Sequence, residues 1–415
     1  PATVLLAITM LASGSLASAQ DLPTAIAEAH ARSSALEAAE ADSDAAEARV
    51  DQARAAGGPS ARVEAMAGVG RIDPGGFFGL TAEQVAPRIV QMTAEYPLFT
   101  GGRIDAAIAQ ARGGADAARA GQDGVRQRLT VEVVAAYAEV LTARQMVGNY
   151  TRMEAAVSEV VRGARLRFGV GDAASTDVAQ AVARLAEARA GLISAQGRAA
   201  VAEAQLERLT GHPAADLAPL GDLPDLPLTL AEAMEMARAH NAMLAQARSG
   251  IDAARAGIRG AHASTLPTVG TFVEAAHVRD QFFPNYRADS VTVGARASWI
   301  FLDPGASARA REARSSLAAS EARARTADEA VGQAVIEAWH DLATAQGMMA
   351  AGHDGVAAAD DALRATRLEV RVGMKPQLAE LDAEREVIAA AARLAEAEGR
   401  MHVAARQLRA LAGME

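Results

Sequence analysis

The side chains able to do chemistry in this chain are few and poorly placed for catalysis. It has no cysteine, which excludes a thiolate nucleophile, a thiolate metal site and a disulfide. Its 8 histidines are scattered, and none shows the H-E-x-x-H spacing that sets two imidazoles on one helix face around a metal. The single lysine, Lys375, follows Met374 rather than a glycine, so no phosphate-cradling Walker loop surrounds it. No G-x-S-x-G nucleophile elbow occurs. Asp360 and Asp361 are adjacent on a helical segment, where neighbours face apart, and read as solvated surface. No catalytic residue, metal or cofactor is expected.

Two glycine-centred tripeptides stand out instead, Val170-Gly171-Asp172 and Val372-Gly373-Met374. Glycine there permits the positive φ of a tight reversal. Polar groups follow closely: Thr176 and Asp177 after the first, Lys375, Glu380 and Asp382 after the second. A solvated turn lysine and ordinary helix-face acids are the plain structural readings of these groups.

The elements that must position these turns occur twice. At one constant offset, Ala136-Tyr137-Ala138-Glu139-Val140-Leu141-Thr142 returns as Ala338-Trp339-His340-Asp341-Leu342-Ala343-Thr344, and Arg165-Leu166-Arg167-Phe168-Gly169-Val170-Gly171 returns as Arg367-Leu368-Glu369-Val370-Arg371-Val372-Gly373. A repeat of this length is no short solenoid unit. It implies two similar halves. The expected organisation is an export signal at 1–19, a first repeat at 20–211, a proline-rich link at 212–228 and a second repeat at 229–415. The signal rests on an apolar run at 4–11 followed by Ala17-Ser18-Ala19, a small-x-small cleavage pattern.

Each half has the same order: helix, two strands, long helix, turn, helix. Helices are expected at 22–56, 103–167, 175–209, 230–261, 306–371 and 377–411. About 65 residues of uninterrupted helix at ~1.5 Å each would span roughly 100 Å. Alanine dominates the apolar residues and only 3% are aromatic, which suits long, closely packed helices better than a thick core. The strands alternate. Val90, Met92, Ala94, Tyr96 and Leu98 oppose Gln91, Thr93 and Glu95; Val291, Val293, Ala295, Ala297, Trp299 and Phe301 oppose Ser290, Thr292, Gly294, Arg296 and Ser298. Two further strands are expected near 61–69 and 266–278, and loops at 71–86 and 280–287.

No later stretch reaches the ~18 continuous apolar residues of a transmembrane helix, so any membrane crossing must use strands. Four strands cannot close a membrane barrel alone, and open edges in lipid leave backbone groups unpaired. Four such strands per chain therefore require an oligomer if they lie in a membrane. Tyr96 and Trp299 sit at the helix-proximal strand ends, where an interfacial aromatic girdle would lie. The net charge of −10 argues against nucleic acid as a partner.

Several segments resemble the TolC-type outer-membrane efflux channel family. Tyr96-Pro97-Leu98-Phe99-Thr100-Gly101-Gly102-Arg103 is similar to its strand-to-helix junction. Arg167-Phe168-Gly169-Val170-Gly171, followed by Thr176-Asp177-Val178 and Ala183-Arg184-Leu185, resembles its first hairpin turn. Leu230-Ala231-Glu232-Ala233, and Val372-Gly373 followed by Glu380-Leu381-Asp382-Ala383, resemble the second-half counterparts. The resemblance implies a mainly α fold with a small β part. Long antiparallel hairpins would form a periplasmic tunnel, and four strands per chain would complete one β-barrel in a homotrimer. It implies an outer-membrane location in a Gram-negative cell, a periplasmic membrane-fusion adaptor and an inner-membrane pump of RND or ABC type as partners, and passive export as the function. It places adaptor docking at Val170, Gly171, Asp172, Val372, Gly373 and Met374. It makes Lys375 a partner of Thr176 and Asp177 of a neighbouring hairpin in a periplasmic gate, and Asp382 a constriction aspartate. The family's usual arginine is a lysine at 375, which loses a bidentate fork, and a second constriction acid is replaced by Ala379. The rival reading is a periplasmic coiled-coil scaffold or adaptor without membrane strands, which leaves the twice-repeated alternation without a role.

Overall fold

The computed structural model describes residues 20–73, 75 and 82–414. The expected export signal lies outside them, as does most of the glycine- and proline-rich loop at 74–78. The first repeat contains α1 (Leu22–Arg32), α2 (Ser34–Ala55), β1 (Ser60–Ala67), β2 (Gly70–Ile72), β3 (Glu83–Val85), β4 (Arg88–Phe99), α3 (Arg103–Gly169) and α4 (Ser175–Thr210). The second contains α5 (Leu230–His240), α6 (Ala242–Ala263), β5 (Thr268–Arg279), β6 (Arg287–Ser298), α7 (Ala306–Arg371) and α8 (Gln377–Ala412). Both halves thus follow the doubled order that the sequence implies.

Three expectations need correction. The first helix of each half is two helices, not one. Ser33 and Asn241 leave the helical region, with ψ of 110° and 130°, and each ends a short helix. Both breaks are stabilised by a polar side chain: Ser33 Oγ accepts the Leu36 N–H at 3.2 Å, and Asn241 Nδ2 donates to the Leu411 carbonyl at 3.0 Å. Second, the segment at 71–86 is not all loop, because β2 and β3 pair there as a small antiparallel ribbon. Third, β6 ends at Ser298, so Trp299 and Phe301 lie beyond the strand.

The chain forms two compact units, and each draws on both repeats. The helical unit comprises the described residues 20–37, 124–241 and 331–414. Its main core joins Leu22, Ala25 and Ala29 of α1 to Leu129, Val133, Tyr137 and Val140 of α3 and Leu206 and Leu209 of α4. A fully buried side chain such as Val133 or Leu206 contributes about 1.5–3 kcal/mol through the water it sheds. α3 and α4 run antiparallel, tied by Glu132–Arg208, Arg144–Glu203 and Glu154–Arg189 ion pairs at 2.6, 2.7 and 3.0 Å. The proline-rich link is pinned on this core. The Tyr137 hydroxyl reaches the carbonyls of Gln20 and Ala218 at 2.7 and 2.6 Å, and Arg144 donates to the Ala215 carbonyl at 2.8 Å.

The strand unit comprises 38–123 and 242–330. Its sheet is antiparallel with the order β1-β4-β5-β6. Small residues let its helices close up: a methyl group on Gly113 of α3 would stand 2.8 Å from the Ala253 nitrogen of α6. Ala46, Val50 and Ala115 make the corresponding small core between α2 and α3.

Candidate functional site

Strand register determines which side chains share a face of the sheet. Val63 pairs with Met92, Met92 with Ala275 and Ala275 with Val291. The next row of that face runs Ala61, Ala94, Val273 and Val293. The opposite face carries Arg62, Thr93, Glu274 and Thr292 in one row and Glu64, Gln91, Ala276 and Ser290 in another. Alternation has therefore separated an apolar face from a polar one. The apolar face is uncovered within the chain: Val63, Val291 and Val293 are 66%, 75% and 72% exposed. A water-soluble sheet buries such a face. No helix among the described residues is long and apolar enough to cross a membrane.

Both arginines on the polar face have a carboxylate partner. Arg296 meets Glu95 at 3.1 Å while its guanidinium lies 4.6 Å from the centre of the Phe272 ring, and Arg62 meets Glu64 at 3.2 Å. At the helix-proximal end, Tyr96 is half-exposed on the apolar face. Trp299 leaves the strand but stays at that end, its Nε1 donating to the Thr265 carbonyl at 3.1 Å and its ring set edge-on to Phe301.

The two glycine turns are built alike. Gly171 and Gly373 have φ of 82° and 80°. The Asp172 N–H returns to the Arg167 carbonyl and the Met374 N–H to the Glu369 carbonyl, both at 2.8 Å; Gly171 and Gly373 donate to Phe168 and Val370 at 3.1 and 3.0 Å. This is a Schellman closure, which needs the left-handed residue that glycine supplies. It leaves apolar side chains in water: Val170, Val372 and Met374 are 81%, 68% and 76% exposed, with Leu166, Phe168 and Leu368 also exposed nearby.

The charged residues beyond the turns fall into separate groups. The Lys375 ammonium lies 2.7 Å from Glu369 of its own hairpin. Thr176 and Asp177 stand exposed at the start of α4, and among the described residues no ion pair joins Asp177 to Lys375. Asp382 of α8 lies 3.5 Å from Arg184 of α4; Arg184 also meets Glu187 at 3.0 Å, and Glu187 approaches Arg385 at 3.7 Å. The hydrogen bond that Arg184 donates to Glu187, then the charge of Asp382, raise the Arg184 pKa above its ordinary value. Arg367 bonds Glu384 and Glu380 at 2.7 and 2.9 Å. Sequence reasoning missed Arg184, Arg367 and Glu369 as partners. Their signal is their nearness to a glycine turn, but pairing Arg184 with Asp382 requires that α4 and α8 lie side by side.

Between α3, α4, α7 and α8 lies a groove of about 710 Å³. Glu139 and Arg198 from the first repeat, and Asp341 and Arg400 from the second, line it. No group of three or more His, Asp or Glu able to hold a metal occurs among the described residues.

The family model for outer membrane efflux proteins matches residues 25–212 and 233–414. Outer membrane efflux protein BepC of Brucella suis biovar 1 is 30% identical over 276 residues, covering 66% of this chain and 60% of BepC. The proteases secretion protein PrtF of Dickeya chrysanthemi is 28% identical over 297 residues, covering 69% of this chain and 64% of PrtF. The chain thus spans less than two thirds of the length of either relative. The crystal structure of the outer membrane protein VceC from Vibrio cholerae superposes with a TM-score of 0.80 at 18% identity, over 94% of this chain and 96% of that one. The fold is therefore that of the TolC-type channels. Two matched blocks, each running from an α1- or α5-type helix to the glycine that closes the last helix of a repeat, make this chain a member of the outer membrane efflux protein family.

Proposed function

We propose that the chain is the outer-membrane channel of a tripartite efflux or type I secretion system, a passive duct loaded from the periplasm. The observation that carries this reading is the exposed apolar face of the β1-β4-β5-β6 sheet. Lipid covers that face, and the free edges of β1 and β6 pair with further copies of the chain, because unpaired strand edges are costly in hydrocarbon. Three copies contribute twelve strands to one barrel, within the range of bacterial barrels. Tyr96 and Trp299 sit in the periplasm-side interface, with one polar handle each. A periplasmic scaffold without membrane strands would leave Val291 and Val293 in water.

The Val170-Gly171-Asp172 and Val372-Gly373-Met374 turns dock a periplasmic adaptor, which in turn contacts the inner-membrane pump. Their exposed valines and Met374 provide the apolar contact such docking needs. The gate lies just beyond them: Thr176, Asp177 and the Lys375–Glu369 pair meet neighbouring hairpins, and Asp382 with Arg184 forms the constriction. Exposed pairs of this kind contribute only ~0–1 kcal/mol each, which suits a closure that adaptor binding must undo.

Purification provides the test. The protein should require detergent, run as a heat-modifiable oligomer on gels and produce discrete conductance steps in planar bilayers. A monomer that stays soluble without detergent and conducts nothing rules this reading out.

A further inference from the structure

The register of the sheet sets arginines side by side. Arg88 of β4 pairs with Arg279 of β5, and Arg279 pairs with Arg287 of β6. Each lies two residues from the row Val90, His277 and Asp289, so all three share the apolar face. They stand at the strand ends opposite those that lead into α3, α6 and α7. All are exposed. Neighbouring strands lie ~4.8 Å apart, and like charges directly opposite one another destabilise a sheet.

The polar face pairs each of Arg62 and Arg296 with a carboxylate. The arginine row differs: among the described residues, Arg88, Arg279 and Arg287 form no ion pair. Two acids close to the row in register or sequence bond to other groups. Asp289 accepts from His277 Nδ1, and Asp280 accepts the Asn285 N–H at 2.6 Å. Arg279 Nε donates to His277 Nε2 at 3.0 Å, and among the described residues its terminal N–H groups make no ion pair.

From this juxtaposition we infer that Arg88, Arg279 and Arg287 form a binding site for the phosphate groups of a lipid headgroup in the outer leaflet. The inference rests on the membrane reading of the sheet given above. Guanidinium groups match phosphate oxygens with paired N–H donors. Beyond the Val90, His277 and Asp289 row the same face continues through Met92, Ala275 and Val291 and then Ala94, Val273 and Val293, so one amphiphile can set acyl chains on the valines and phosphates on the arginines. A soluble phosphate would gain nothing from that continuity. The anion also removes the repulsion within the row.

Native mass spectrometry of the detergent-solubilised channel titrated with lipid A tests the site. Arg88→Gln/Arg279→Gln/Arg287→Gln should weaken lipid A binding about tenfold or more. Arg62→Gln/Arg296→Gln, on the other face, should not. The unaltered protein should lose the same affinity when lipid A is stripped of its phosphates, a readout that needs no variant to fold. Inorganic phosphate should not compete. Equal binding by the triple variant, or of dephosphorylated lipid, overturns the site. Displacement by inorganic phosphate overturns a lipid as its occupant. Failure of the unaltered protein to conduct in bilayers is a different result: it removes the membrane reading, and the site with it.

Discussion

His402 of α8 shows how a single side chain ties the helical unit to pH. It is 4% exposed. Burial, the largest cause, lowers its pKa, because the charged ring would lose its water; Glu398 opposes the shift and Arg406 adds to it. His30 is lowered in the same direction, first by burial and then by Arg126, while its Nε2 meets the Thr130 hydroxyl at 3.0 Å. Both rings resist protonation in the fold and take up protons more readily when unfolded. The sign follows: stability is whole above the unfolded value of about 6.5 and is lost as pH falls through it toward the lower folded values. The thermal midpoint of the helical signal should therefore drop between about pH 7.5 and pH 5.5, above the carboxylate range. His402→Leu should flatten that drop. If the variant loses as much as the parent, the proton goes elsewhere.

At the scale of elements, close helix approach depends on where side chains are absent. A methyl on Gly113 would meet the Ala253 nitrogen at 2.8 Å and the Ser249 carbonyl oxygen at 2.9 Å, both backbone atoms that cannot rotate away. A methyl on Gly114 would meet nothing within 4 Å. Replacing glycine by alanine in a helix contributes about 1 kcal/mol through propensity, whereas overpacking costs about 1–3 kcal/mol. Gly113→Ala should thus destabilise by up to about 2 kcal/mol and Gly114→Ala should stabilise by up to about 1 kcal/mol, read as opposite shifts in thermal midpoint. The sequence shows two adjacent glycines without telling them apart. It is more explicit about periodicity: alternation at 90–98 and 290–301 marks β4 and β6, the second running three residues past the strand's end, and the matched glycines at 171 and 373 mark both turns. It did not show the breaks at Ser33 and Asn241, because both residues are also tolerated inside helices: Ser33 ends one only by accepting the Leu36 N–H locally, and Asn241 only once folding brings it the Leu411 carbonyl. Nor did apolar pattern reveal that Trp299 leaves its strand, since its indole N–H bonds a carbonyl rather than continuing the ladder.

At the scale of the whole molecule, the proposed assembly would repeat a charge near a turn in every copy. Asp382 was legible as an acid at a fixed distance beyond Gly373; its partner was not, because Arg184 lies on another hairpin. The 3.5 Å separation and the exposure of both side chains make this a weak pair, so much of the carboxylate's field still reaches the surrounding water. In the proposed homotrimer the residue would recur around one axis, and a ring of carboxylates raises the local cation concentration. Asp382→Asn removes one negative charge per copy and leaves each Arg184 with only Glu187 to balance it. The pore should move toward anions, with the cation-to-anion permeability ratio falling a few-fold, on the order of what removing a solvent-exposed charge at short range can do. Reversal potentials under a salt gradient measure this directly. The variant keeps the size of the side chain, so an altered conductance without altered selectivity would point to a packing role, and an unchanged reversal potential would place Asp382 outside the path of the ions.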